Sequence, residues 1–521
     1  MPLVLASSIV AAIGVALLFS HVYWTLIASP LAKIPGPNWF FLTSLRLSWE
    51  EFQGTRTRTI HRLHQQYGPA VRIGPNEVSF NSLSALRQIY GAGSPFGRPS
   101  AFYRIFSMFG QTSLFTFYSS SDHAARKKIM SQVYSKSAVL KSPVADSIQS
   151  KTKQFIDLIE SDPRTASDLV RSLHFFSLDN MTWMVFGARG ATKALMGELS
   201  DRQILSDIEE PTARRYSWFQ LHLPRYTRLA MSCSFSHLRS IIDAFGLLPG
   251  KLPSAYSGLQ GFALATFNTH RSYKTSASPP ASESGLMMRL LHARTGNSGG
   301  KPLSNMEIAA ECADNLDAGL KTTSDTLMFA LWVLSLPQHR RYQERLIMEV
   351  KDAKSVRASD MSILPVDVCD RLPFLDAIIK ETLRLYAPIA ASQPRTSTQD
   401  TTIDSYHIPA GTVVSCQAFS MHRNPAVYPR PNTFDPDRWL ASDAETAEIK
   451  RWWWPFSSGA RMCLGMHFAL AEMKTLLAAI YQTYSTNLRP DFENLSPTAT
   501  SRFELVYDDS FPIAEVRFIS P

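Results

Sequence analysis

Cysteine is scarce in this chain. Five occur in 521 residues, at Cys233, Cys312, Cys369, Cys416 and Cys463, odd in number, widely scattered and without a C-x-x-C pair. That argues against a disulfide framework and against a zinc site, and it fits a reducing compartment. No G-x-G-x-x-G stretch is apparent, so the chain shows no flavin or nicotinamide module of its own. Nor is there a long Lys/Arg run or an internal repeat. The formal charge of +9 therefore carries no nucleic-acid footprint. It suits either a basic face for an acidic protein partner or a soluble surface slightly rich in Lys and Arg.

The third absence is charge at the start. From Met1 to Ala32 there is no Asp, Glu, Lys or Arg. The apolar run from about Leu3 to Ala28 exceeds the roughly 20 residues that cross a bilayer core as a helix. A cleaved signal peptide usually has a basic leading region and an apolar stretch of about 7–15 residues, and this segment has neither. Residues 1–32 read as a retained N-terminal anchor. Lys33 and Arg46 follow it, which places the bulk of the chain on the cytosolic side. Ile34-Pro35-Gly36-Pro37 ends the helix within a proline-rich hinge over 33–45, since proline cannot continue a helix.

What remains, 46–521, is one large composite domain. Its 45% hydrophobic content is that of an ordinary globular protein. Thr55–Tyr67 has an amphipathic helical pattern, and Ala70–Gly74 with Glu77–Phe80 reads as a hairpin. Ser119 to about Ser272 is mostly helical in pattern, and Thr275–Gly285 and Gly296–Lys301 are surface linkers. Ser304-Asn305-Met306-Glu307 fits a capping box ahead of a long apolar pattern that runs to Leu336, where Pro337 stops it. Helices follow near Gln338–Asp352 and Phe374–Tyr386. Thr401–Phe419 then alternates as a second hairpin around Pro409-Ala410-Gly411. The pattern is mainly α with a minor β sector.

One decapeptide carries chemistry. Phe456-Ser457-Ser458-Gly459-Ala460-Arg461-Met462-Cys463-Leu464-Gly465 presents one thiol on a glycine-hinged loop, ahead of a helical pattern from Met466. Backbone N–H groups and the dipole at a helix N-terminus favour thiolate, the form that ligates metal. Gly459 and Gly465 let a flat cofactor approach the chain, and Arg461 can pair with an anionic group on it. The stretch fits Phe-x-x-Gly-x-Arg-x-Cys-x-Gly at every fixed position and resembles the heme-binding loop of the cytochrome P-450 family.

The resemblance covers nearly the whole chain in family order. It implies the cytochrome P-450 fold and heme b, its iron held by the thiolate of Cys463, with Phe456, Arg461, Gly459 and Gly465 around it. Lys380-Glu381-Thr382-Leu383-Arg384, about eighty residues before Cys463, resembles the K-helix motif. With Arg438 of Phe434-Asp435-Pro436-Asp437-Arg438, Glu381 and Arg384 complete the family's structural charged triad. Pro394-Arg395 resembles the turn whose arginine reaches a heme propionate. His123-Ala124-Ala125-Arg126-Lys127 stands where the family has W-x-x-x-R, so His123 and Lys127 take the place of propionate ligands. His123 reads equally as a surface or core residue.

Ala318-Gly319-Leu320-Lys321-Thr322 resembles the oxygen-binding motif. The resemblance implies that Gly319 opens the helix to dioxygen and water and that Thr322 donates and relays protons. Lys321 replaces the usual acid. It sits four residues from both Asp317 and Asp325, within ion-pair reach on a helix. Either the acid has been relocated along the helix, or Lys321 is a solvated side chain with no part in proton delivery. The segments expected to face a substrate are Ser94–Phe117, Asp314–Thr322, Pro388–Gln393 and Thr500–Phe503.

The chain is thus similar to membrane-bound fungal microsomal monooxygenases. That implies insertion of one atom of O2 into a lipophilic small molecule, with secondary-metabolite biosynthesis as the setting. Electrons would come from an NADPH-cytochrome reductase, with a cytochrome b-type donor as a second source. The implied location is the endoplasmic reticulum membrane, single-pass, with the catalytic domain in the cytosol. Two rivals stay open: a redox-neutral heme-thiolate isomerase or dehydratase, which needs no proton relay, and a non-enzymatic heme protein.

Overall fold

The computed structural model describes residues 2–207, 211–232, 258–271, 285–294, 302–355, 363–488, 500–501, 505–506 and 515–520. Cys233, the linker over 296–301 and all of Thr275–Gly285 except Gly285 lie outside the described residues.

Helices build the frame and small sheets close one side. The chain opens with α1, Pro2–Tyr23, whose backbone continues through one π turn, Trp24–Ala28. The expected hinge is packed into the body rather than free. Leu31, Ile34, Phe40 and Phe41 are buried, and Pro35 O accepts the Arg72 N–H at 2.8 Å. The first hairpin forms as β1, Ala70–Gly74, and β2, Glu77–Phe80. The Thr55–Tyr67 pattern becomes a helix over Arg56–Tyr67. Of the helices after it, two matter to the site: α2, Ser120–Met130, and α3, Leu169–Phe186.

The central helix α4 spans Asn305–Ser335. Ser304 and Glu307 make both halves of the capping box. At its other end Leu336 turns extended ahead of Pro337, as a residue before proline must. Its 31 residues reach about 46 Å, enough to cross the domain. α3 packs tightly on it, and a Cβ on Gly319 would collide with the Met181 sulfur. The helix expected over Phe374–Tyr386 is α5, Pro373–Leu385.

The second hairpin closes elsewhere than the alternation predicts. After β3, Arg395–Thr396, it pairs β4, Thr401–Ile403, with β5, Tyr406–Ile408, around Asp404 and Ser405. Both turn residues have positive φ, 46° and 69°, as tight hairpin turns of the primed type require. The Ser82 and Ser84 hydroxyls donate to the Asp404 carboxylate and hold that turn. Pro409-Ala410-Gly411 instead carries the chain to β6, Val413–Ser415, in another sheet. There the order is β1-β2-β6-β3, with β6 parallel to β2 and antiparallel to β3. α6, Met466–Thr483, follows the decapeptide and is buried along most of its length. The largest apolar core runs through α3, α4, α5 and α6.

Candidate active site

A cavity of about 270 Å³ draws its walls from the decapeptide, the middle of α4 and the Arg98–Phe115 stretch. The decapeptide holds itself by backbone bonds: Cys463 N–H donates to Phe456 O at 2.8 Å, and Met462 N–H to Gly459 O at 3.2 Å. Gly459 is obligatory, because φ is +64° and a Cβ there would strike Tyr90 O and Gly91. Gly465 has an ordinary φ of −82°, so its value lies in bulk and not in conformation. It lines the cavity, and a Cβ there would meet no protein atom. Phe456 lines the same wall.

The Cys463 sulfur is reachable from the cavity but lies deep within the surrounding protein. Burial pushes its pKa up. The N–H groups of Gly465 and Met466 and the charge of Lys127 oppose the rise without cancelling it. The helix end therefore assists the thiolate as the sequence suggests, but protein groups alone do not secure it. A metal cation would.

Arg98, Arg461 and His123 line the cavity, and Arg395 stands close enough to depress all three. Burial and this mutual repulsion bring Arg98 to about 9 and Arg461 to about 10. His123, buried beside the three arginines and within the field of Lys127, falls to about 3 by burial first and by these charges second. Arg461 is fixed by donating to Phe117 O at 2.8 Å and Tyr118 O at 2.9 Å. Arg98 Nε and Arg395 Nη1 are buried without a hydrogen-bond partner. Uncompensated buried guanidinium nitrogens beside one another are costly unless an anion joins them. A flat cofactor with carboxylate arms and a metal that takes thiolate fits this cluster, Gly465 and Cys463 together. Lys127 is not part of the cluster's inner face; its ammonium donates to Ala460 O at 2.7 Å.

Ala318, Gly319, Lys321 and Thr322 all line the cavity. The Thr322 hydroxyl donates to Ala318 O at 2.8 Å, one turn back along α4. Lys321 is half-buried, and its charge helps burial lower His174 of α3 to about 4. Two acids pin the loop over 107–118 to α4. Glu311 is raised to about 8 by burial despite its pairing with Arg126, and Asp314 to about 6 by burial despite the Ser113 hydroxyl and Phe115 N–H. Asp314 also faces the cavity, with Tyr103, Phe106, Phe115, Pro388 and Ile389 supplying apolar surface. Three of the four expected substrate-facing segments thus meet there. Phe503 lies outside the described residues.

Glu381, Arg384 and Arg438 come together away from the cavity. Arg384 grips the Glu381 carboxylate at 2.7 and 2.8 Å, and Arg438 Nε reaches it at 3.0 Å. Asp435 N–H and Trp439 Nε1 also donate to Glu381. Arg384 meanwhile donates to the carbonyls of His422, Pro431 and Thr433. His422 then bonds Arg384 O and the Trp454 N–H at 2.8 Å, so the cluster connects to the decapeptide through two side chains. The Trp452–Trp454 run is core: Trp453 Nε1 donates to Lys380 O, and Trp454 packs on Tyr90.

The family model described as Cytochrome P-450 matches residues 33–506. The chain belongs to the cytochrome P-450 family. Among its relatives, the cytochrome P-450 monooxygenase stcB of Emericella nidulans is 30% identical over 467 residues, 87% of this chain and 82% of that protein. Fusicoccadiene 8-ol C-16-hydroxylase of Phomopsis amygdali is 27% identical, over 94% of this chain and 89% of the other. The monooxygenase aflV of Aspergillus parasiticus is also 27% identical, over 93% and 89%. As a P-450 monooxygenase the protein uses heme iron with a cysteine thiolate ligand, and works with a reductase, O2 and an organic substrate. The isomerase and heme-carrier readings gain no support.

Two residues of this P-450 site escaped the sequence reading. Arg98 has no motif around it; its signal is one guanidinium between Gly97 and Pro99 in an otherwise apolar, aromatic stretch. Glu472 is fully buried on the cavity wall, and burial drives its pKa far up. Neither oxygen meets hydrogen-bond geometry, although the Thr323 hydroxyl is near enough to offset part of the burial. Its signal is one carboxylate within the apolar run after Cys463.

Proposed function

We propose that this chain is a membrane-anchored P-450 that hydroxylates, epoxidises or successively oxidises an apolar product of fungal secondary metabolism. The observation that carries this is one largely apolar cavity holding both Cys463 and the Ala318–Thr322 stretch. Heme, when bound, would supply dioxygen activation, and Cys463 would be its thiolate ligand. Arg98, Arg395, Arg461 and His123 would hold its carboxylate arms, with Phe456 and Gly465 beside it. Thr322 donates a proton into the oxygen site, and the Glu472 carboxyl, its pKa driven up by burial, lies in the same wall. Glu381, Arg384 and Arg438 keep the decapeptide in place. The electron donor is an NADPH-cytochrome reductase. Purified protein with that reductase and NADPH should form an oxygenated product from a lipophilic candidate, with one atom of labelled O2 in it. Turnover without NADPH would support redox-neutral chemistry instead.

Residues 1–32 form a single-pass anchor in the endoplasmic reticulum membrane, 33–45 join it to the body, and 46–521 face the cytosol. Ala11–Ala28 has a mean hydropathy of 1.8 and only 6% of the window is buried. At 22 residues α1 reaches about 33 Å, matching a hydrocarbon core of about 30 Å. The junction is stiff: Arg72 donates to Thr25 O at 2.8 Å and to Pro75 O at 2.7 Å. Protease added to intact microsomes should digest the body without detergent. A protected body, or a mature N-terminus beyond Ala28, would reverse the orientation or the anchor.

A further inference from the structure

Lys127 and His123 are one helical turn apart on α2 and share a face, yet they serve different surroundings. His123 stands with Arg98, Arg395 and Arg461. The Lys127 ammonium donates to Ala460 O at 2.7 Å and reaches Met462 O at 3.5 Å, the two carbonyls flanking Arg461 on the approach to Cys463. Three arginines already serve the anion site, two of them with a free nitrogen, so it does not call for a lysine. What distinguishes Lys127 is that its ammonium is held on the two carbonyls one and three residues before Cys463. An arginine fork would spread its charge over a plane, whereas lysine offers a compact point charge on a flexible stem.

We propose that Lys127 is a positioning residue for the thiolate: it clamps the Ala460 and Met462 carbonyls and, through its charge, sets the reduction potential of the bound iron. This rests on Cys463 being the axial ligand. A fixed positive charge beside the sulfur withdraws electron density from it and favours the reduced over the oxidised metal, since reduction adds one negative charge to the site. The carbonyl bonds keep that charge at a constant distance and hold the loop against slippage. The reductase then meets an acceptor already biased toward taking an electron.

The test is spectroelectrochemical titration of the purified full-length heme protein, without reductase or substrate. Lys127→Met keeps the stem and removes the charge. Its ferrous-to-ferric ratio at fixed solution potential should fall on the order of tenfold, a negative shift of about 59 mV for one electron. Lys127→Gln keeps a donor for the carbonyls without the charge, and should shift in the same direction. Lys127→Arg should return most of the potential.

Unchanged potentials in Lys127→Met and Lys127→Gln would overturn the proposal. So would loss of heme with a normal potential in the remaining holoprotein, which is the behaviour of a propionate ligand. If Lys127→Met does not fold, Lys127→Gln decides alone. Should wild type itself lack the red-shifted band of a thiolate complex, the Cys463 assignment fails, and that result is separate from any Lys127 difference.

Discussion

Cys463→Ala should abolish the red-shifted Soret band of the reduced carbon-monoxide complex and bring NADPH-supported product formation to background. The expectation follows from where the described cysteines sit. Cys312, Cys369 and Cys416 are fully buried, and none of them lines the cavity. Burial pushes all three thiols up, Cys369 to about 12, so each is inert as a small apolar side chain. Cys463 alone among them opens on the cavity. The loss should be chemical and not a collapse of the fold, because the loop is held by the main-chain bond from Cys463 N–H to Phe456 O and by the packing of Gly459 on Tyr90. Far-ultraviolet circular dichroism should therefore match wild type. Replacing Cys312, Cys369 or Cys416 by Ala should leave the band in place. A wild-type band at the shorter wavelength typical of histidine ligation would refute the assignment.

The sequence discloses what is local. Ser304 and Glu307 announce a helix start, Pro337 its end, and both hold in the structure because capping and proline sterics act within a few residues. The decapeptide is legible for the same reason: each fixed position serves a demand within ten residues, such as the positive φ of Gly459. The Asp404-Ser405 turn was not legible. Its two positive φ angles belong to residues that rarely adopt them, and they persist through Ser82 and Ser84, more than 300 residues earlier in the chain. Arg98 and Glu472 stayed hidden likewise. Each looks ordinary in its own segment and becomes notable only when folding buries it beside groups from distant segments.

The charged cluster lies between these cases. Glu381 and Arg384 share a helix face three residues apart, so their pairing could be read directly. That Glu381 also accepts from Asp435 and Trp439, while Arg384 ties down three carbonyls of the 422–433 stretch, could not. Two buried charges of this kind gain little as a pair alone. Their hydrogen bonds along the 422–439 stretch make them the fastening between α5 and the decapeptide, with His422 as the connecting piece.

Thr322→Ala should uncouple the enzyme. Thr322 lines the cavity, and its hydroxyl donates to Ala318 O, so rotation about one bond would free the proton toward the cavity. Losing one positioned proton donor typically costs about 10²–10⁴-fold. Because electron delivery does not depend on this hydroxyl, the lost flux should leave as peroxide, with NADPH still consumed and the ratio of peroxide to product raised. Cys463 ligation should stay intact by the carbon-monoxide spectrum, and Thr322→Ser, which keeps the hydroxyl, should restore much of the coupling. Lys321→Asp would restore the family's usual acid but gain little. Lys321 sits on the cavity wall near His174, Asp317 lines the same cavity and Asp325 is buried one turn on, so the exchange replaces a positive charge among acids by another negative one. Such a change raises the cost of ionising every carboxyl nearby. Proton supply would then be limited by the local field and not by the number of acids. Unchanged coupling in Thr322→Ala, measured as peroxide and product per NADPH, would show that protons reach the oxygen site by a path that bypasses this hydroxyl.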